Sequence, residues 1–286
     1  MGVAPRGNGG KGRGKGVRWI AGAFLIGSAA HAQSVTLQIR PRVGDTLRMR
    51  LDQQSEMTGV KKSSTGEATA MVIATMKMFS RAIVEASSEK STTVLAVTDS
   101  VLLSTTDERA RAATLQAEGQ MRGQRVRFRV SPDGTVGMNE TDGVSRDVAQ
   151  VVSVMPAAFP KGPIAVGESW MREMPLPTGS QLGAQVSGKL HVTFRFDSLT
   201  HGGDWAYVSM RGEMQPAAAY GAASSTDMEK GVVSGTMLVD QKRGWLTESW
   251  FTILVTSVIN PPLMTGIVSM HMQMRITQHM HTAERR

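Results

Sequence analysis

Val268-Ser-Met-His-Met-Gln-Met-Arg-Ile-Thr277 alternates without a break. On an extended chain, Val268, Met270, Met272, Met274 and Ile276 share one face, and Ser269, His271, Gln273, Arg275 and Thr277 share the other. A period of two with one apolar face is the signature of a half-buried antiparallel strand. Working backwards, Arg125-Val-Arg-Phe-Arg-Val130 repeats the pattern and runs into the turn Ser131-Pro-Asp-Gly134. His191 to Phe196 and Trp205 to Met210 flank Thr200-His-Gly-Gly-Asp204, which reads as a hairpin. Shorter alternations occur at Val35–Ile39 and Thr46–Leu51. The expected fold is therefore mainly β and antiparallel, as a curved sheet, half-barrel or sandwich.

Two segments depart from this period. Ser145 to Met155 places Val148, Val151, Val152 and Met155 at helical spacing, with Ser145 as cap and Pro156 as stop. Gln215 to Gly231 is rich in Ala, Gly and Ser and reads as a long aperiodic loop. On either side of the expected helix the chain looks related. Val43-Gly-Asp-Thr-Leu47 corresponds to Val166-Gly-Glu-Ser-Trp170, and Phe79–Val97 to Val192–Met210. Gly119-Gln-Met121 corresponds to Gly235-Thr-Met237. Three landmarks in one order suggest two strand-rich repeats, 33–140 and 164–286, joined by a helix and linker over 141–163.

The first 32 residues read as an export signal. Arg6, Lys11, Arg13, Lys15 and Arg18 precede an apolar run, Trp19 to Ala30, and Ala30-His-Ala32 offers a small-x-small cleavage site after Ala32. That run of 12 residues falls short of the roughly 20 needed to span a bilayer. The expectation is a periplasmic or secreted protein that is not integral to the membrane after cleavage. The formal charge of +8 belongs mostly to the signal: without its five cations, 27 basic residues face 24 acidic ones. A near-balanced surface gives no reason to expect a nucleic-acid partner. The chain has no cysteine, which excludes disulfides, thiol catalysis and zinc-thiolate sites.

The combination Phe159-Pro, Val166-Gly-Glu-Ser-Trp170, strand hairpins, Gly244-Trp-Leu and a closing Met-rich strand resembles a family of secreted bacterial β-rich proteins without assigned function. The resemblance covers roughly Leu37 to Met280 and implies a fold but no catalytic residue. A looser architectural similarity is to the half-barrel lipoprotein carriers of the bacterial envelope.

Candidate chemistry is sparse. Met270, Met272 and Met274 with His279 and His281 offer thioether and imidazole ligands of the kind copper takes, although the same methionines suit a core strand. Arg125, Arg127 and Arg129 project from one strand face and could grip an anion, or simply solvate an outer face. Ser87-Ser-Glu-Lys90 matches Ser-x-x-Lys without a Lys-Thr-Gly partner, and His201-Gly-Gly203 sits in the expected hairpin turn. No cofactor is implied. Two non-enzymatic functions fit: binding an apolar or amphiphilic small molecule such as a lipid in a Met-lined concavity, or meeting an envelope protein as a structural or interaction module. A hydrolase is a distant third.

Overall fold

The computed structural model describes residues 34–63, 66–138, 159–175, 188–216, 226–259 and 267–283. Thirteen strands are formed among them. In chain order they are β1 (Ser34–Val35), β2 (Thr46–Ser63), β3 (Gly66–Ser87), β4 (Thr92–Thr105), β5 (Arg125–Val130), β6 (Val136–Met138) and β7 (Ile164–Ala165). They continue as β8 (Ser169–Pro175), β9 (Gly188–Thr200), β10 (Trp205–Pro216), β11 (Thr226–Asp240), β12 (Trp245–Ile259) and β13 (Ile267–Ala283). Eleven of these make one antiparallel sheet in the order β6-β5-β4-β3-β2-β13-β12-β11-β10-β9-β8. The sheet is open and curved: β6 and β8 form its two edges, and no ladder joins them. The remaining pair, β1 and β7, forms a separate two-stranded ladder.

Alternation decides which face each strand buries. In β5, Val126, Phe128 and Val130 are buried and Arg125, Arg127 and Arg129 exposed. In β13, Met270 through Met280 at even positions lean to the core while His271, Gln273 and Arg275 are exposed. One face of the sheet thus carries the core, including Phe128, Phe194, Phe196, Met237, Phe251 and Met280. Leu37, Ile39, Phe159 and Ile164 pack onto that face from outside the large sheet. The backbone of Phe159 bridges both sheet edges. Its N–H donates to Asp133 O in the β5–β6 turn (2.6 Å), and its carbonyl accepts from Arg172 Nη2 of β8.

The first paired landmark recurs bond for bond. Gly44 and Gly167 both have positive φ, 88° and 92°. Gly44 N–H donates to Val84 O (2.9 Å), as Gly167 N–H does to Phe196 O (2.7 Å). Val84 N–H returns a bond to Asp45 O, and Phe196 N–H to Glu168 O, both at 2.9 Å. The acidic side chains then cap their own turns, Asp45 accepting from Arg42 N–H and Glu168 from Ala165 N–H. These carboxylates are turn devices. The second landmark also recurs, as the β3–β4 and β9–β10 hairpins. The third does not: Gly119-Gln-Met121 closes a helix, whereas Gly235-Thr-Met237 lies inside β11. Read in one direction along the sheet, the two quartets run β5-β4-β3-β2 and β11-β10-β9-β8.

Other expectations change. The described α-helix is Arg111–Met121, α1, and the expected helix at Ser145–Met155 lies outside the described residues. The aperiodic stretch from Gln215 is shorter than expected, because β10 runs to Pro216 and β11 begins at Thr226. The strands are also far longer than the alternating runs suggested, with 18 residues in β2 and 22 in β3. No helix among the described residues is long and apolar enough to cross a membrane.

Candidate functional site

The five copper candidates do not converge. Met270, Met272 and Met274 lie half-buried on the core face of β13, whereas His279 and His281 project from the opposite face. Strand geometry also spreads the three methionines over about 14 Å, too far for one ion. Among the described residues no group of three or more His, Asp or Glu could hold a metal. The arginine row is exposed on the outer face, and Arg127 is committed: its guanidinium grips Glu85 at 2.7 and 3.0 Å. That bond, aided by the guanidinium charge, holds the Glu85 carboxyl below its ordinary pKa despite some desolvation. Ser87 ends β3 and Ser88 opens the β3–β4 turn, where its hydroxyl donates to Ser91 O (2.9 Å). His201 sits in the β9–β10 turn against the Trp205 ring, 4.7 Å away.

The methionines instead belong to an apolar strip. Register places Met274 between Met57 and Val255, with Val72 beyond Met57. Met272 lies between Gly59 and Ser257, and Ala70 follows Gly59. All of these share the core face, and they continue it from buried Ile253 and half-buried Ile276. Here, however, Met57, Val72, Val255, Met272 and Met274 are only half-buried, and Ala70 is exposed. A Cβ built at Gly59 meets nothing within 4 Å. From Ser55 to Lys61 the strip runs about 20 Å along β2. It is an apolar, methionine-walled surface that leaves the packed core without ending.

A second cluster stands on the outer face. His279 stacks on the indole of its cross-strand partner Trp250, with ring centroids 3.9 Å apart and planes 16° from parallel. Glu248 serves both rings, accepting from Trp250 Nε1 (3.2 Å) and lying 3.0 Å from His279 Nε2. Desolvation pushes the Glu248 pKa up, but the bonds to His279 and Trp250 and the charges of His279 and His281 outweigh it, leaving the pKa lowered. A carboxyl lowered in the folded state stabilises above its unfolded pKa, and that stabilisation is lost as pH falls through the folded value. The stability difference between the wild type and Glu248→Gln should therefore shrink on going from about pH 7 to about pH 3, read by denaturant unfolding. A difference independent of pH would show that the carboxylate charge is not what these rings hold.

On the same face, a shallow hollow of about 700 Å³ is lined by Met171, His191, Thr193, Arg211 and Glu213 and lies open to solvent. His191 Nε2 is 3.7 Å from Glu173 there.

No protein-family model and no curated protein matches the chain. Among solved structures, a lipovitellin structure described for its lipid–protein interactions aligns with 85% of this chain at 11% identity and a TM-score of 0.49. This chain spans only 25% of that one. A protein of the dynemicin biosynthesis pathway of Micromonospora chersina aligns with 87% of this chain and 85% of its own, at 8% identity and a TM-score of 0.18. An outer membrane channel from Pseudomonas putida F1 covers 85% of this chain and 96% of its own, at 7% identity and a TM-score of 0.20. At such identities and scores these likenesses say nothing about function.

Proposed function

We propose that this chain is an exported envelope protein that holds an apolar or amphiphilic small molecule against the methionine-walled strip and performs no chemistry on it. The observation that carries this reading is the continuity of the core face into a half-buried apolar surface at Met57, Val72, Val255, Met272 and Met274. Thioether side chains suit such a surface, because they are flexible and polarisable and repack around ligands of different shape. A mixed row of Gly59, Ala70 and Ser257 beside them leaves room for a chain to lie down.

The test is native mass spectrometry of the chain recovered without detergent, compared with Gly59→Trp. Gly59 has no positive φ and its Cβ direction is open, so an indole there is expected to fill the strip and leave the fold intact. The expected result is a small-molecule adduct on the wild type and at least about a tenfold weaker occupancy in the variant. A bare wild-type chain, or an adduct indifferent to the indole, would end this reading.

A further inference from the structure

The outer face carries a patch that is independent of the strip on the opposite face. Register arranges it as two neighbouring rows across β12, β11 and β10: Trp250, Thr236 and Ser209 in one, Glu248, Leu238 and Tyr207 in the next. The two aromatic rings stand at opposite corners, two strands or about 10 Å apart across the sheet and one side-chain row along it. Both are exposed, Trp250 by 48% and Tyr207 by 40%. Since His279 covers one face of the indole at 3.9 Å, that exposure belongs to the other face. The ring is also fixed, because Glu248 accepts its N–H and His279 stacks behind it.

Between the rings the floor is hydroxyl-bearing and low. Thr236 is exposed, Ser209 half-buried, and Leu238 is buried at 6%. Glu248 adds a carboxylate at a third corner. Two nearby guanidinium groups are turned to their own carboxylates, Arg50 to Asp52 (2.7 Å) and Arg195 to Asp197 (3.8 Å), while Arg211, next after Ser209 on this face of β10, is exposed beyond the patch. An immobilised indole face, a second ring, a hydroxyl floor and a carboxylate acceptor suit a ligand with flat C–H faces and many O–H donors. Beside Trp250, where Glu248 holds its charge and Arg50 is already paired, an anionic group is disfavoured. We infer that this patch binds an uncharged glycan, one sugar ring lying on Trp250 and a neighbouring one reaching Tyr207.

The experiment is titration of the full recovered chain with an N-acetylglucosamine hexamer and, separately, a glucose hexamer, followed by calorimetry and by tryptophan fluorescence. Trp245 is 5% exposed, Trp170 is stacked on Phe194 and half-buried Trp205 packs against His201, so Trp250, 48% exposed, is the described indole best placed to report. Saturable binding of either oligomer is expected. Trp250→Ala and Tyr207→Ala should each weaken it by about tenfold or more, the scale of one lost ring-stacking contact. Phe79→Ala, on the same face across β13, should leave it unchanged. Binding of neither oligomer overturns the inference, as does binding that survives Trp250→Ala. If the patch variants instead abolish a cross-link to a protein while no oligomer binds, the face is a protein-docking surface and the glycan assignment is wrong.

Discussion

Phe159→Ala is expected to destabilise the protein by about 3–5 kcal/mol, the usual cost of deleting a buried ring and leaving its cavity. Phe159 is fully buried, and it is not part of any ladder that would hold it in place without its side chain. Its backbone joins Asp133 beside one sheet edge to Arg172 on the other edge. Truncation therefore removes core packing and loosens the one described residue whose main chain reaches both edges. Domains of ordinary stability hold only about 5–15 kcal/mol in total, so the loss would be a large share. Denaturant unfolding should show a lower midpoint with the slope nearly unchanged. Phe79→Ala, where the ring is 40% exposed beside Arg50, sets the comparison and should cost under about 1 kcal/mol. Equal losses in the two variants would mean that Phe159 does not hold the edges together.

Gly244→Ala is the second large effect, expected at about 3 kcal/mol or more. Gly244 has φ of 58°, and a Cβ there would meet the Arg40 backbone at 2.6–2.8 Å. The obstacle is main chain, which cannot swing aside as the end of a side chain can. Arg40 N–H donates to Gly244 O (2.8 Å), so the methyl group strikes the segment that the glycine itself anchors. That segment carries Leu37 and Ile39, 1% and 3% exposed, into the core. Hydrogen exchange should speed up at the Ile39 and Arg40 amides, which bond Pro132 O and Gly244 O in the wild type. Gly202→Ala shares the positive φ, 69°, but its Cβ meets nothing within 4 Å. It should cost only the backbone strain of about 1–2 kcal/mol. A Gly244→Ala loss no greater than that would show that the segment yields without penalty.

What the sequence made legible was whatever a single strand or turn encodes by itself. The faces of β5 and β13 follow from alternation, and the twin turns at Gly44 and Gly167 follow from matching Val-Gly-acid motifs. Strand length was hidden because the far part of β3 reads Ala68, Thr69, Ala70, where small residues blur the contrast between faces. The helix α1 was hidden for a related reason. None of its residues is buried and Leu115 is 63% exposed, so it carries no apolar stripe to be seen. Its sequence, with three Ala and two Gln in eleven residues, carries propensity alone. The methionine strip was readable as one face of β13, but its walls come from β2, β3 and β12 and needed the register. The Trp250 patch was unreadable. Glu248 and His279 are 31 positions apart, and only the β12–β13 pairing makes them neighbours. Alternation along β13 itself puts His279 on the face opposite the methionines that precede it.

The position of β13 bears on how the protein is made. The last strand of the described chain is the sixth of eleven in the sheet, with β2 on one side and β12 on the other. Until it arrives, both of those long strands present open edges, which are templates for pairing with other chains. The two flanking sets of strands can each form early through hairpins of short sequence separation. Their pairing into one sheet must wait for a contact of long sequence separation, between Met57 and Met274. Such late, distant pairing makes for slow assembly and a long interval of vulnerability. Until β13 is in place β2 and β12 each stay unpaired on one side, and a helper that shields them in that interval would raise the yield of native protein more than any gain in final stability.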